Sequence, residues 1–129
     1  MVVATVGYAA GEGNAGLVYA RIMGDGAARV IRRPFRIPEP RDDRAEAYGA
    51  VTAVAQALAK RRVRGVRFII GNATLAAEIM NRSGIPDPMA LAYVRLRCAL
   101  NALDAGVTAG TTDELTQRAR AEIALNFAA

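Results

Sequence analysis

The chain has 129 residues, of which 53% are hydrophobic and 22% are charged, and these values are typical of one folded domain covering residues 1–129. It has no histidine, which excludes histidine metal ligands and histidine-based catalysis, so any catalysis has to rest on carboxylates. The single cysteine, Cys98, fits a reducing compartment, and no apolar run is long enough to cross a bilayer. We therefore expect a cytoplasmic protein with no membrane partner.

The basic residues are almost all arginine. The net charge is +5, and Lys60 is the only lysine among 17 basic residues. Arginine binds phosphate bidentately and stacks on bases, so this bias fits a nucleic-acid surface. It also fits a genome whose base composition favours arginine codons, in which case the side chains are only solvated.

The first third of the chain has the pattern of a strand meander. Three segments rich in β-branched residues are predicted strands: residues 2–9, 17–23 and 28–37. A glycine-rich turn at residues 11–16 separates the first two, and Gly24-Asp25-Gly26 predicts a tight hairpin. Pro34 cannot donate to a neighbouring strand, so the third strand is predicted to lie at an edge or to carry a bulge.

Alternating helices and strands follow the meander. A helix is predicted over residues 44–61, with Asp42 or Asp43 as its N-cap. Residues 66–70 are almost wholly apolar, which predicts a strand covered on both faces. A second helix is predicted over residues 73–81.

Residues 87–106 fit two structures. The alternation over residues 93–100 is that of a half-buried strand. Asp87-Pro88 is also a helix start, and helical spacing relates five apolar residues: Met89, Tyr93, Leu96, Leu100 and Leu103. Local pattern favours the helix. The chain ends in a further predicted helix, which begins at the capping-box sequence Thr111-Thr112-Asp113-Glu114 and reaches about Phe127.

This order of elements resembles the ribonuclease H-like fold, most closely type 1 ribonuclease H, over essentially the whole chain. Thr5-Val6-Gly7 resembles the family's Thr-Asp-Gly turn, and Arg44-Ala45-Glu46 matches its Arg-x-Glu helix start. Ile70-Gly71-Asn72 stands where the family has Thr-Asp-Ser, and Thr112-Asp113-Glu114-Leu115 fits its final helix. The resemblance implies an α/β (α+β) domain with helices on both faces of a mixed five-stranded sheet. That sheet would contain the meander and two further strands, with residues 93–100 as the fifth.

The resemblance also implies a set of site residues. It assigns Glu46 and Asp113 to retained acidic positions, as candidate catalytic residues and weak metal ligands, and it makes Val6 and Gly71 the occupants of two vacated acidic positions. Two-metal phosphodiester hydrolysis needs carboxylates to hold the ions, which valine and glycine do not supply. We therefore expect an inactive or strongly impaired enzyme with no cofactor, and Mg²⁺ or Mn²⁺ dependence if activity remains.

Nucleic acid is the expected partner, as an RNA/DNA hybrid or a duplex. The resemblance places Asn14 and Asn72 where polar contacts to the backbone or the 2′-hydroxyl are made. Four arginines are candidate phosphate contacts: Arg32, Arg33, Arg36 and Arg44. Asn72 also has a structural interpretation, as a helix N-cap.

Two alternatives stay open. One is a divergent metal-dependent ribonuclease H that cleaves RNA in hybrids with Glu46, Asp113 and one recruited acid. The other is a homodimeric interaction scaffold with Met80, Met89 and Leu91 on the shared face.

Overall fold

The computed structural model describes residues 1–24, 26–39 and 42–128. The strands are β1 (Val2–Ala10), β2 (Ala15–Gly24), β3 (Ala27–Arg36), β4 (Val66–Ile70) and β5 (Gly106–Ala109). The helices are α1 (Asp43–Lys60), α2 (Ala73–Asn81), α3 (Ala90–Ala102) and α4 (Asp113–Ala128), and a 3₁₀ turn, Asp87–Met89, precedes α3. Among the described residues, no helix is both long and apolar enough to cross a bilayer.

The five strands form one mixed sheet in the order β3-β2-β1-β4-β5. β1 pairs antiparallel with β2, and β2 pairs antiparallel with β3, which confirms the predicted meander and places Pro34 on an edge strand. β4 joins β1 in parallel, and β5 joins β4 in parallel. The predicted hairpin turn includes Asp25, which lies outside the described residues.

Helix α1 covers the β1–β2–β3 half of one face of the sheet. Its N-cap is Asp42, whose carboxylate accepts a hydrogen bond from the Ala45 backbone nitrogen at 2.8 Å. Ala47 and Ala50 are fully buried, and their small side chains let the helix axis approach the strands closely. On its other side α1 packs against α3, where the Tyr48 and Tyr93 rings meet edge to face.

The prediction that residues 93–100 form the fifth strand is wrong, and the locally favoured helix is correct. Four apolar residues in and beside this segment are buried: Met89, Leu96, Leu100 and Leu103. A helix places these four on one face, against α1 and the core, whereas a strand would divide them between two faces. The fifth strand is the short β5, in which Val107 is buried.

The burial of Met89 also corrects the predicted dimer face. Its side chain is only 1% exposed, so it belongs to the core, while Met80 and Leu91 are 43% and 64% exposed.

Strand β4 is covered more completely on one face than on the other. Val66, Phe68 and Ile70 are buried, but Arg67 is exposed. The second face of the sheet is covered by α4, which packs mainly against β1 and β2. The prediction that both faces of β4 are covered is therefore wrong, because α4 lies to one side of it.

Candidate functional site

A pocket of about 400 Å³ opens where β1 and β4 end, beside the first turns of α1, α2 and α4. Its lining residues are Tyr8, Ala9, Ala10, Asp43, Glu46, Gly71, Asn72, Thr112, Asp113, Thr116 and Arg120. The parallel pairing of β1 and β4 brings their carboxyl ends to one edge of the sheet. Three of the four predicted acid positions, Glu46, Gly71 and Asp113, thus meet in one place, together with Asn72.

Val6 does not line this pocket, which corrects its predicted placement. Its side chain is fully buried in the core beneath α1, beside Ala4. The β1 residue that faces the pocket is Tyr8, two positions further along the strand and on the same face. Val6 and Tyr8 lie on the same face of β1, so the predicted face is correct. The signal that sequence reasoning missed is that Tyr8 lies closer to the end of the strand, where the pocket opens.

Tyr8 brings a neutral hydroxyl to the pocket. Burial, together with the nearby carboxylates of Glu46 and Asp43, raises the pKa of Tyr8 to about 12. The phenol is therefore protonated near neutral pH, and it supplies no negative charge to attract a cation.

The position of Gly71 is closed by a neighbouring side chain. A Cβ atom at residue 71 would lie 2.7 Å from Thr112 Oγ1, which is too close for a side chain unless Thr112 moves. Thr112 is itself buried, and its hydroxyl lies 3.4 Å from that of Thr116. The contact with Thr112 therefore disfavours an aspartate side chain at position 71 sterically.

Close packing of α4 on β1 sets the position of Asp113. A Cβ atom on Gly7 would lie 2.4 Å from the Thr116 backbone nitrogen, so only glycine allows this approach. Leu115 and Ala119 bury their side chains at the same contact. Asp113 is consequently held over the pocket in the first helical turn, where the helix dipole stabilises a carboxylate.

The neighbouring acid, Glu114, is directed elsewhere. The helix begins at Asp113, which puts Glu114 in the second helical position and not in the third, where a capping box requires it. Its carboxylate accepts a hydrogen bond from Arg21 at 2.9 Å, and this contact lowers the pKa of Glu114.

The residues around the pocket do not fit a pair of divalent ions. Among residues 1–24, 26–39 and 42–128, no three or more carboxylate or cysteine side chains are grouped so that they could hold a metal ion. A two-metal site needs oxygen ligands that bridge ions about 4 Å apart. Asp43, Glu46 and Asp113 line the pocket without forming such a group, and the strand ends contribute only the neutral Tyr8 and the side-chain-free Gly71.

Two of the four predicted phosphate-binding arginines form internal ion pairs. Arg32 Nε donates to both Glu122 oxygens, at 2.7 and 2.9 Å, and Arg32 is the main cause of the lowered pKa of Glu122. Arg44 Nε donates to Glu78 Oε1 at 2.9 Å, and the Tyr48 hydroxyl donates to the same oxygen at 2.8 Å. Glu78 is buried in α2, and its contact with Arg44 joins α1 to α2.

The remaining predicted contacts lie in three places. Arg33 and Arg36 are exposed on the edge strand β3, away from the pocket. Asn14 Nδ2 donates to Glu39 at 3.3 Å near the β1–β2 turn. Asn72 lines the pocket and also caps α2, where its side chain accepts from the Leu75 backbone nitrogen at 3.0 Å.

Comparison with known proteins gives a clear result for the fold. No family model matches this sequence, and no curated protein sequence matches it. Among solved structures, the chain is similar to ribonuclease H1 from the halophilic archaeon Halobacterium salinarum, with 20% identity over 94% of this chain and 98% of that chain and a TM-score of 0.70. It is similar to the N-terminal ribonuclease H domain of a Mycobacterium tuberculosis protein, with 13% identity over 98% and 99% of the two chains and a TM-score of 0.67. A third similar structure is LC11-RNase H1 in complex with an RNA/DNA hybrid, at 10% identity over 91% and 90% of the chains and a TM-score of 0.68. The chain therefore has the ribonuclease H-like fold.

Proposed function

We propose that the protein is a ribonuclease H-like nucleic-acid-binding protein that is catalytically inactive or strongly impaired. The observation that carries this proposal is the composition of the pocket at the ends of β1 and β4. Tyr8 and Gly71 face it from the two strand ends, and Thr112 closes the space beside Gly71.

The chemistry of phosphodiester hydrolysis makes these residues decisive. Two divalent ions have to be held across the scissile phosphate by several carboxylates, and the ions supply both the nucleophile and the stabilisation of the leaving group. Tyr8, a neutral phenol, and Gly71 provide no anionic oxygen at the ends of β1 and β4. The three lining carboxylates, Asp43, Glu46 and Asp113, are not grouped around one ion and would hold a metal weakly, so the expected loss of rate is several orders of magnitude.

Binding of nucleic acid is supported separately from catalysis. The net charge of +5 favours association with a polyanion, and the structurally similar LC11-RNase H1 was solved with an RNA/DNA hybrid. We assign an RNA/DNA hybrid or a duplex as the ligand, with Asn14 and Asn72 as polar contacts to the backbone.

A cleavage assay tests the proposed inactivity. A labelled RNA/DNA hybrid is incubated with the protein in Mg²⁺ or in Mn²⁺, beside the double variant Glu46→Gln/Asp113→Asn. We expect no cleavage above that of the double variant with either ion. Metal-dependent cleavage that both substitutions abolish would support the alternative of a divergent ribonuclease H.

A homodimeric scaffold is the second candidate. It is favoured by the exposed side chains of Leu91 and Val94 on α3, which are 64% and 54% accessible. Light scattering during size-exclusion chromatography distinguishes the two oligomeric states, and a monomer at all concentrations eliminates this candidate.

A further inference from the structure

A second concave surface lies between the edge strand β3 and helix α1, and its far wall is α3. It consists of two adjoining hollows of about 290 and 280 Å³, which share Pro34, Ala53 and Gln56 and so form one cleft. The cleft has no lining residue in common with the pocket at the ends of β1 and β4.

All of the charged residues that line this cleft are cationic. They are Arg33, Arg36, Lys60, Arg61 and Arg95. Each is exposed, and within the described ranges of the chain none forms an ion pair with a carboxylate. Arg32 and Arg44 differ in this respect, because their charges are compensated by Glu122 and Glu78. The cleft therefore concentrates uncompensated positive charge.

The floor of the cleft suits an extended polyanion. It is formed by one face of α1, where Gly49 and Ala53 are small and Thr52 and Gln56 offer hydrogen-bond donors. The Phe35 ring lies against Gly49, where a Cβ atom would come within 2.9 Å of it, so β3 is held close to the helix. From residue 49 to residue 60 the helix rises about 16 Å, at ~1.5 Å per residue. One strand of a duplex places a phosphate every ~3.4 Å, so the floor spans four to five phosphates.

We propose that the cleft between β3 and α1 is a phosphate-backbone binding site for nucleic acid, separate from the pocket. This inference rests on the proposed function, because it names the surface through which a nucleic acid is held. Arg33 and Arg36 contact phosphates from the β3 side, Lys60 and Arg61 from the end of α1, and Arg95 from α3. Contacts to phosphate carry no base information, so the cleft binds hybrid, duplex RNA and duplex DNA with affinities within a few-fold of one another.

Charge reversal tests the site. Fluorescence anisotropy measures the binding of a labelled RNA/DNA hybrid at low salt to the wild type and to Arg33→Glu/Arg36→Glu. The matched control is Arg64→Glu/Arg67→Glu, which makes the same change in net charge at two exposed arginines outside the cleft. Circular dichroism establishes that both variants are folded. We expect the cleft variant to bind about tenfold more weakly or worse, and the control to stay within about threefold of the wild type.

A second measurement does not depend on variants. Phenylglyoxal modifies accessible arginines, and peptide mapping identifies the positions that a bound hybrid protects. We expect protection of Arg33, Arg36 and Arg95, and continued modification of Arg64 and Arg67.

The outcomes separate the cleft from the proposed function. Suppose that the wild type binds the hybrid, and that the two double variants either lose the same amount of affinity or both keep the wild-type affinity. The proposed binding site in the cleft is then overturned, while nucleic-acid binding by the protein stands. If the wild type binds no nucleic acid at low salt, the proposed function fails and the cleft fails with it. Binding of polyglutamate but not nucleic acid, weakened only in the cleft variant, would assign the cleft to an acidic protein surface.

Discussion

The pocket at the ends of β1 and β4 and the cleft between β3 and α1 are opposite in charge, although α1 contributes to both. Three carboxylates and one arginine line the pocket: Asp43, Glu46, Asp113 and Arg120. Five cations and no carboxylate line the cleft. An acidic pocket repels phosphate unless metal ions lie between them, whereas a cationic cleft attracts phosphate directly.

If the proposed function is correct, this difference separates the binding of nucleic acid from its cleavage. Binding through uncompensated arginines needs only exposed charge on a stable edge, and it survives changes elsewhere in the protein. Chemistry needs several oxygen ligands in one geometry, and Tyr8 with Gly71 interrupts that set. The function we propose is therefore binding without cleavage.

The largest expected effect is the salt dependence of binding at the cleft. Neutralising about five phosphates gives a slope of about −4.5 for the logarithm of the association constant against the logarithm of salt concentration, so affinity falls about 500-fold between roughly 50 and 200 mM salt. Arg36→Ala should lower the magnitude of that slope by about 1. Anisotropy titrations across a salt series measure both, and a slope near zero would contradict a phosphate-binding cleft.

Gly7→Ala should disrupt the pocket and spare the cleft. The added Cβ atom meets the backbone of Thr116 and Leu115, which cannot rotate away, so α4 has to move off β1. We expect a loss of about 3 kcal/mol in the free energy of unfolding, measured by urea denaturation. The folded fraction should keep its affinity for hybrid, because α4 contributes nothing to the cleft.

The control for this substitution is Gly106→Ala in β5. There the added Cβ atom lies 3.6 Å from Met80 Cε, an ordinary contact, so stability should change little. Equal losses for both variants would show that the close approach of α4 to β1 is not what Gly7 provides.

Glu78→Gln tests the contact that joins α1 to α2. The substitution removes the charge that holds Arg44 and weakens the acceptor for the Tyr48 hydroxyl. Because Arg44 is 37% exposed, solvent screens this pair, and we expect a loss of about 1–2 kcal/mol, below the roughly 3–5 kcal/mol of a fully buried pair.

The matched variant Glu114→Gln breaks an ion pair of the same kind at an exposed position, with Arg21. Exposed pairs contribute little to stability, so its unfolding curve should overlay that of the wild type. If Glu114→Gln were as destabilising as Glu78→Gln, burial of Glu78 would not be the reason for its effect.

Tyr8→Phe should have an effect that is confined to alkaline pH. The folded state raises the pKa of Tyr8 to about 12, from 10.0 for an ordinary tyrosine, so the unfolded state releases this proton first. Stability that is complete below pH 10 is therefore lost as the pH rises through 12. Urea denaturation at pH 8 and pH 11 should show a steeper loss for the wild type than for Tyr8→Phe, and parallel losses would place Tyr8 in an unperturbed environment.

The sequence predicted the features whose causes are local. The sequence predicts Asp42 or Asp43 and Asn72 as helix caps, because a cap hydrogen-bonds to an amide three residues away, and the structure shows Asp42 and Asn72 in that role. Residues 93–100 fit both a strand and a helix, and burial of Leu96 and Leu100 against neighbouring elements decided between them. The resemblance to the ribonuclease H-like fold predicts the fifth strand at residues 93–100. This prediction is wrong, because the chain forms its fifth strand later, at Gly106–Ala109.

The site was predicted in part, for related reasons. Convergence of Glu46, Gly71 and Asp113 was implied by the resemblance to the ribonuclease H-like fold, and the parallel pairing of β1 and β4 explains it. The sequence could not show which β1 residue lines the pocket. Val6 and Tyr8 share a face of the strand, and only the position of the strand end selects Tyr8. The carboxylate partners of Arg32 and Arg44 lie 90 and 34 residues away in sequence. The sequence therefore could not show that these two arginines form internal ion pairs whereas Arg33 and Arg36 remain exposed.

Titration with Mn²⁺, followed by electron paramagnetic resonance, tests the central claim most directly, because it counts bound ions without reference to a substrate. With only Glu46 and Asp113 retained as carboxylates at the predicted positions, we expect no ion bound more tightly than on the order of 1 mM. Two ions bound at micromolar concentration, displaced by Mg²⁺ and lost in Asp113→Asn, would contradict the account and restore a working metal centre to this pocket.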